Sequence, residues 1–401
     1  MDVLIVNCGS SSLSFKVYQI TADGQVEEVL KGKARNVATL TKAKPVLEWQ
    51  VNGVKSTRES PLSSHQHAAR AMLSLLHELS IPVDAVGHRF VHGGDLFQRT
   101  TLINEQSLNK LKQVLPLAPI HNPNSFSAIE VCLEGLEGVP EFVTFDTAFH
   151  STMPIEAREY ALPRELAEPY GLRKYGFHGL SYQYVSARAA ALLKRNLDDV
   201  KLIMCHLGTG GSSVCAFDHG HSVDTSMGFS PLAGLVMSTR CGDIDAEVAL
   251  ELVRQGRSAD EVSRLLNHQS GLLGLSDYSS NLSEIIEAAE AGNERCRTAY
   301  EVYADRLSHY IGAYTWKLQR ADAIVFTDDI GMSSWKLRQK VCGDAEAMGV
   351  HFDAELNRAA PTDGISFVNK PDSPTKVIII PTDEDRIILE EVMRNVVVNG
   401  G

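Results

Sequence analysis

Along the chain, short unbroken apolar runs take turns with stretches in which apolar residues return every third or fourth position, the pattern of an α/β protein. Residues 2–8 and 14–19 read as strands on either side of Gly9-Ser10-Ser11-Ser12. After Ser64, residues Ala68, Met72, Leu75, Leu76 and Leu79 share one helical face, which predicts a helix over 65–79. Another helix is expected after Ser181, where Val185, Ala189, Leu192 and Leu193 fall together. Further buried strands are expected at Val83–His88, Phe142–Phe145, Leu202–His206, Ala323–Thr327 and Lys376–Pro381. A last helix starts after Thr382, with Asp385 placed three residues on as in a capping box.

One feature repeats. Three apolar strands each run into a loop rich in Gly, Ser or Asp: VLIVNCGSSSLSF, LIMCHLGTGGSSV and AIVFTDDIGMSS. In the first two a second strand follows, so neither is a Walker loop, which must open a helix. No dinucleotide fingerprint follows a strand either. Two hairpin turns with exposed backbone N–H groups would make two anion nests, one per half, and so a duplicated fold with a cleft between the halves.

Composition narrows the class. The 401 residues suggest more than one domain, and 44% hydrophobic residues with 30 Gly mark an ordinary globular chain. The formal charge of −12 argues against nucleic acid or a membrane surface as the main partner. The seven cysteines are scattered with no CxxC pair, so neither a disulfide framework nor a zinc site is expected, and a reducing cytoplasm is the default. No run reaches the length of a membrane span, and the N-terminus lacks the basic start of a signal peptide.

Candidate chemistry sits at the strand ends. Arg89 (GHRFVHGG) and Arg240 (MSTRCGDID) lie beside glycines, where a guanidinium binds either an anion or a structural carboxylate. Two in such settings favour substrate over a structural ion pair. His121 (LAPIHNP) and His178 (YGFHGLSY) stand at strand-to-loop junctions, while His88, His92 and His150 read as structural. Asp146 ends one apolar strand and Glu384 opens the final helix. Such carboxylates suit a hard cation that keeps several waters, as Mg²⁺ does beside phosphate. Asn7 stands at the end of an apolar strand and would orient a metal-bound water. Ser10 and Ser12 read as donors to phosphate oxygens, since no Ser-His-Asp order supports a nucleophile.

These segments, with FDTAFHSTMP, HLGTGGSS, DTSMGFSPLAGL and PTDE, resemble the acetate kinase family of the actin-like, sugar kinase and Hsp70 ATPase superfamily, in order and over nearly the whole chain. The resemblance implies two duplicated actin-like (ribonuclease H-like) α/β domains with an active-site cleft between them. The N-terminal domain would span 1–148 and the C-terminal domain 149–383, with the terminal segment 384–401 packing back on the first. It implies reversible, Mg²⁺-dependent phosphoryl transfer (Mn²⁺ being possible) between a short carboxylate and a phosphate donor. Arg89 and Arg240 would clamp the carboxylate and the phosphoryl group, with His178 bonding that group and His121 in support. Asp146 and Glu384 would position metal and carboxylate, with Asn7 beside Glu384 at the metal. Ser10, Ser12, Lys16, His206, Gly208, Thr209, Gly210 and Gly211 would line the phosphate path, and Val91, Ile120, Phe177 and Pro231 the methyl pocket. The family is usually a homodimer through its C-terminal domain.

The departures gather on one side. The family's SSSLK lysine is Ser14 here, with Lys16 two residues on and so on the same strand face. The adenosine-side Ser-Ser-Asp-Phe-Arg reads Ser279, Ser280, Asn281, Leu282, Ser283. The Gly-Gly-Ile-Gly-Glu-Asn turn reads Asp328, Asp329, Ile330, Gly331, Met332, Ser333, and the Asn of HLGNG is Thr209. Aspartates add negative charge where a polyanion would enter, and an arginine that could stack on adenine is missing. The pattern is similar to the diphosphate-type branch of the family known from an amoebal parasite. It points to phosphate or diphosphate rather than ADP or ATP as partner; the competing reading is a nucleotide pocket rebuilt from other residues. Readings of other classes are a sugar-kinase-like enzyme, disfavoured by the paired arginines, and a catalytically silent phosphate-binding scaffold. Acetate and propionate are not distinguished.

Overall fold

A computed structural model describes residues 1–39 and 44–399, so the last two positions of the expected 384–401 segment lie outside the described residues. The chain divides into two compact units, Met1–Phe149 with Asp383–Gly401, and His150–Thr382. Each is built on its own sheet.

The first sheet has eight strands: β1 (Asp2–Cys8), β2 (Ser12–Ile20), β3 (Val26–Arg35), β4 (Val46–Val51), β5 (Val54–Glu59), β6 (Ala85–Phe90), β7 (Thr101–Leu102) and β8 (Glu141–Phe145), in the order β5-β4-β3-β2-β1-β6-β8-β7. β1 runs antiparallel to β2 and parallel to β6, and β6 runs parallel to β8. Leu4, Val6, Leu13, Phe15, Val17 and Leu30 bury one face against the helices His65–Glu78 and Asn122–Gly135. On β6 a side chain at Gly87 would lie 2.7 Å from Ile388 and 2.8 Å from Val392, so only glycine lets the final helix Glu384–Asn399 sit there.

The second sheet has six strands: β9 (Lys201–Gly208), β10 (Gly211–Asp218), β11 (His221–Thr225), β12 (Ala323–Thr327), β13 (Ser366–Phe367) and β14 (Lys376–Ile379), in the order β11-β10-β9-β12-β14-β13. Its inner order repeats the β3-β2-β1-β6-β8 order of the first, with the same antiparallel pair followed by parallel neighbours. β9 and β12 are buried almost throughout, as strands covered on both faces must be. The helix Glu294–Leu318 lays Ala299, Tyr303, Leu307, Ile311, Tyr314 and Leu318 on this sheet's core, and Asn293 caps its first turn by accepting from the Cys296 amide.

Two local expectations are corrected. The final helix is capped by Asp383, which accepts from the Arg386 amide at 3.2 Å, and not by Thr382 with Asp385; Asp385 is drawn instead into an ion pair with Lys16. The helix expected after Ser181 begins at Gly179, because the Ser181 hydroxyl is taken by His206 rather than by a cap.

Candidate active site

In the first unit, β1, β6 and β8 end side by side and carry Asn7, Arg89 and Asp146 to one place. Asp146, buried just beyond β8, accepts from Arg89 Nε at 2.9 Å and from Nη2 at 2.6 Å, a bidentate fork. The Arg89 Nη1 faces two further oxygens, Asn7 Oδ1 at 3.3 Å and a Glu384 carboxylate oxygen at 3.2 Å. Burial works against the Arg89 charge, but Asp146 and Glu384 outweigh it and leave the guanidinium more firmly protonated than usual.

The first glycine turn lies nearby in sequence. Gly9 N–H donates to the Ser12 carbonyl at 2.8 Å, and His65 Nε2 bonds the Gly9 carbonyl at 2.9 Å. Ser10 is exposed at its tip and Ser12 opens β2. Lys16 is not part of this turn: it pairs with Asp385 at 3.1 Å and Glu28 at 3.4 Å. Val91 follows β6, and Ile120 and His121 precede the helix Asn122–Gly135, with the Asn124 amide holding the Ile120 carbonyl at 2.9 Å. His88, His92 and His150 are tied inside the protein: His88 to Glu141 at 2.7 Å, His92 Nδ1 to the Gly94 amide at 3.1 Å, and His150 to Ser222 and the Phe177 carbonyl.

The second unit is arranged around the loop Gly208–Gly211 between β9 and β10. A β-carbon built on Gly211 would lie 3.1 Å from Arg240 Nη1 and 3.5 Å from His178 Nε2, so glycine lets both groups come down on the loop. Arg240 donates only to the Pro231 carbonyl, at 3.3 Å, and to the Met237 sulfur, at 3.7 Å; no carboxylate among the described residues pairs with it. Burial therefore lowers its pKa with nothing to oppose it. His178 caps the helix Gly179–Leu192 in a left-handed conformation with φ of 60°, a strained posture for a non-glycine residue. Its Nδ1 is 2.8 Å from Ser213 Oγ, which in turn is 2.5 Å from Tyr182 Oη. Burial holds the Tyr182 phenol well above its ordinary pKa, so it stays protonated within this chain of groups, and the other ring nitrogen of His178, Nε2, faces the loop.

Across the loop stand the two aspartates. Asp329 accepts from the Thr209 amide at 2.9 Å and from its hydroxyl at 2.7 Å. Asp328, itself left-handed with φ of 64°, pairs with His206 at 3.2 Å, and a side chain on Gly208 would collide with its carboxylate. His206 stacks on His178 with ring centres 4.0 Å apart. Thr209, Asn281, Ser283, Asp329, Ile330 and Trp335 line a cavity of about 390 Å³, within which Asn281 caps the helix Leu282–Glu290.

Sequence reasoning did not single out Ser213 and Tyr182, although HLGTGGSS and YGFHGLSY end on them, and had no signal for Arg338. Arg338 is 1% exposed and donates to the Gly331 and Met332 carbonyls at 2.7 and 2.8 Å and to Asn357 at 2.8 Å, fixing the turn that carries Asp328 and Asp329. Burial pushes its guanidinium down to about 10.

The sequence pattern of the acetokinase family matches residues 2–390. The chain belongs to that family. It is 43% identical over 399 residues to the acetate kinase of Bacillus velezensis, covering 98% of both chains. Solved structures agree: an acetate kinase from Entamoeba histolytica, 39% identical, superposes with a TM-score of 0.89 over 98% of both chains. A propionate kinase from Francisella tularensis, 34% identical, gives the same TM-score over 98% of this chain and 99% of that one. The fold is thus the actin-like α/β fold, and the enzyme interconverts acetate and acetyl phosphate by transferring a phosphoryl group to or from a second phosphate compound.

Proposed function

We propose that this family member exchanges the phosphoryl group of acetyl phosphate with an inorganic acceptor, orthophosphate going to diphosphate, rather than with ADP. The observation that carries the reading is the hold of Asp329 on the Thr209 amide and hydroxyl, with Asp328 against Gly208 and His206. Two carboxylates occupy donors that a nucleotide's phosphate chain would need, and they repel a polyanion arriving from that side. A compact acceptor reaches the loop from the Arg240 side without displacing them.

In this reading Arg240 supplies the charge that steadies the moving phosphoryl group, the His178 Nε2–H bonds one of its oxygens, and the amides of Gly210 and Gly211 hold another. Arg89, aimed by Asp146, binds the carboxylate, with His121 in support. Val91 and Ile120 of the first unit and Phe177 and Pro231 of the second are the residues we assign to the methyl group, and Ser10 and Ser12 donate to phosphate. Among the described residues no group of three His, Cys, Asp or Glu side chains could hold a metal ion by itself. Mg²⁺ takes one or two protein oxygens and completes its shell with water and phosphate. Asn7 and Glu384, whose oxygens converge on one guanidinium nitrogen, would hold it, and when bound it would neutralise phosphoryl charge. Leu250 and Val253 share one face of the helix Ala246–Arg254 and leave it apolar and exposed, which supports a homodimer through the second unit.

The second reading, an ADP/ATP enzyme, is favoured by one observation: the cavity of about 390 Å³ beside Asn281 has room for a nucleoside. Acetyl phosphate consumption with Mg²⁺, offering orthophosphate and ADP separately, decides between them. Turnover with orthophosphate, giving diphosphate, is the expected result; turnover with ADP alone overturns it.

A further inference from the structure

Beyond the first unit's active-site residues, the face of its sheet that carries the final helix over β1 and β6 is left open and cationic along β2–β5. Along β2–β5, alternate side chains face away from the helix-covered core: Ser14 and Lys16, then Lys31, Lys33 and Arg35, then Glu48 and Gln50, then Lys55 and Thr57. They line an open groove of about 620 Å³ in a chain whose overall charge is −12.

The pairing of charges on this face is incomplete. Its carboxylates are already engaged: Glu48 with Arg35 at 2.6 Å, and Glu28 and Asp385 with Lys16. Lys31 and Lys55 have no carboxylate partner among the described residues, and Lys33 faces only Glu48, directly opposite on β4, which Arg35 already engages. The strand register sets Lys16 directly opposite Lys31, Lys31 opposite Gln50, and Gln50 opposite Lys55. Like charges placed directly opposite weaken a sheet. Lysines on an edge strand are the usual guard against strand addition, which accounts for Lys55 on β5. It does not account for Lys31 and Lys33 on β3, an interior strand. Burial, with nearby Arg35 and Lys31, outweighs the Glu48 carboxylate and makes the Lys33 charge harder to hold than that of a free lysine.

We propose that this face binds linear inorganic polyphosphate. The row Lys16-Lys31-Gln50-Lys55 crosses three strand spacings, roughly 14 Å at about 4.8 Å each, so it matches an extended multivalent anion better than a single phosphate. The face offers no free ring for a base. Trp49 borders the groove but packs against the core, with Arg58 over its ring, and Tyr18 is buried and bonded to Lys16. An inorganic chain therefore fits where a nucleotide or nucleic acid does not. The inference is independent of which acceptor the active site uses.

Titration calorimetry of the full chain with sodium tripolyphosphate, without Mg²⁺, tests it. In the triple variant K31Q/K33Q/K55Q, tripolyphosphate affinity at this site is expected to fall at least tenfold while acetyl phosphate turnover is unchanged, and K31R/K33R/K55R is expected to keep the affinity. Should the triple variant fail to fold, Lys55→Glu alone on the exposed edge strand is expected to weaken binding several-fold. Equal binding by wild type and K31Q/K33Q/K55Q overturns the proposal. So does an equal loss in a control with the same charge change elsewhere, K112Q/K194Q/K370Q, or a preference for single-stranded RNA over tripolyphosphate.

Discussion

Arg89 and Arg240 meet burial in opposite ways. Arg89 is surrounded by three acceptors, two of them carboxylates, and its charge is more than matched where it stands. Arg240 is offered a carbonyl and a thioether, so its charge is left for something the protein does not supply. A half-buried cation without a charged partner is costly, and it persists where an anion arrives to complete it. The difference teaches what each arginine is for. One is a positioned fork whose orientation Asp146 fixes; the other is an electrostatic vacancy beside the Gly208–Gly211 loop.

The sharpest way to break this comparison is to remove each arginine and measure turnover and melting temperature together. Arg240→Ala is expected to lower kcat by about a thousandfold or more, the scale of an arginine acting on a phosphoryl group, with the melting temperature unchanged or raised. Added guanidinium should restore part of the activity. A large drop in melting temperature would mean that Arg240 has a structural partner after all. Arg89→Ala is expected to lose activity and also to destabilise the first unit by about 3–5 kcal/mol, because it strands a buried Asp146 carboxylate. An unchanged melting temperature there would remove the distinction.

A smaller effect tests the acidic side of the loop. The double variant D328G/D329G frees the Thr209 amide and lifts two negative charges from the path beside the 390 Å³ cavity. Its KM for ADP is expected to be at least tenfold below that of the parent, since like-charge juxtaposition is worth several kcal/mol. If ADP use does not improve, the aspartates are not what keeps nucleotide out.

How much of this was legible beforehand follows from the range of the interactions involved. The β1–β2 and β9–β10 hairpins were readable because apolar runs broken by Gly and Ser are local signals. Asn7, Arg89, Asp146 and Glu384 each stood at an element's end, and the structure brings these four together. The hold of Asp329 on Thr209 was not readable, since it joins residues 120 positions apart. Ser213 hides in β10, where every neighbour is buried, so no periodicity singles it out. Arg338 looks like one more solvated residue in WKLRQK until the fold buries it. The cap on the final helix was misassigned by one residue because Thr382 and Asp383 both suit the position, and only the pull of Lys16 on Asp385 separates them.

The two glycine turns extend the same contrast to pH. The second is held by a carboxylate; the first is held from beneath by His65, a group that titrates near neutrality. Burial lowers the His65 pKa, against the Gly9 and Ser12 backbone oxygens that raise it. In the unfolded chain the imidazole titrates near about 6.5, so as pH falls the unfolded state takes up this proton first. The stability from a neutral His65 is therefore full above about pH 6.5 and is lost as pH falls through the lower folded-state value. Urea midpoints measured from pH 7.5 to 5 should fall more steeply for the parent than for His65→Gln, by less than about 1.4 kcal/mol per pH unit. Parallel slopes would mean that His65 does not hold the turn through its neutral form, and the first loop would then rest on its own Gly9–Ser12 hydrogen bond.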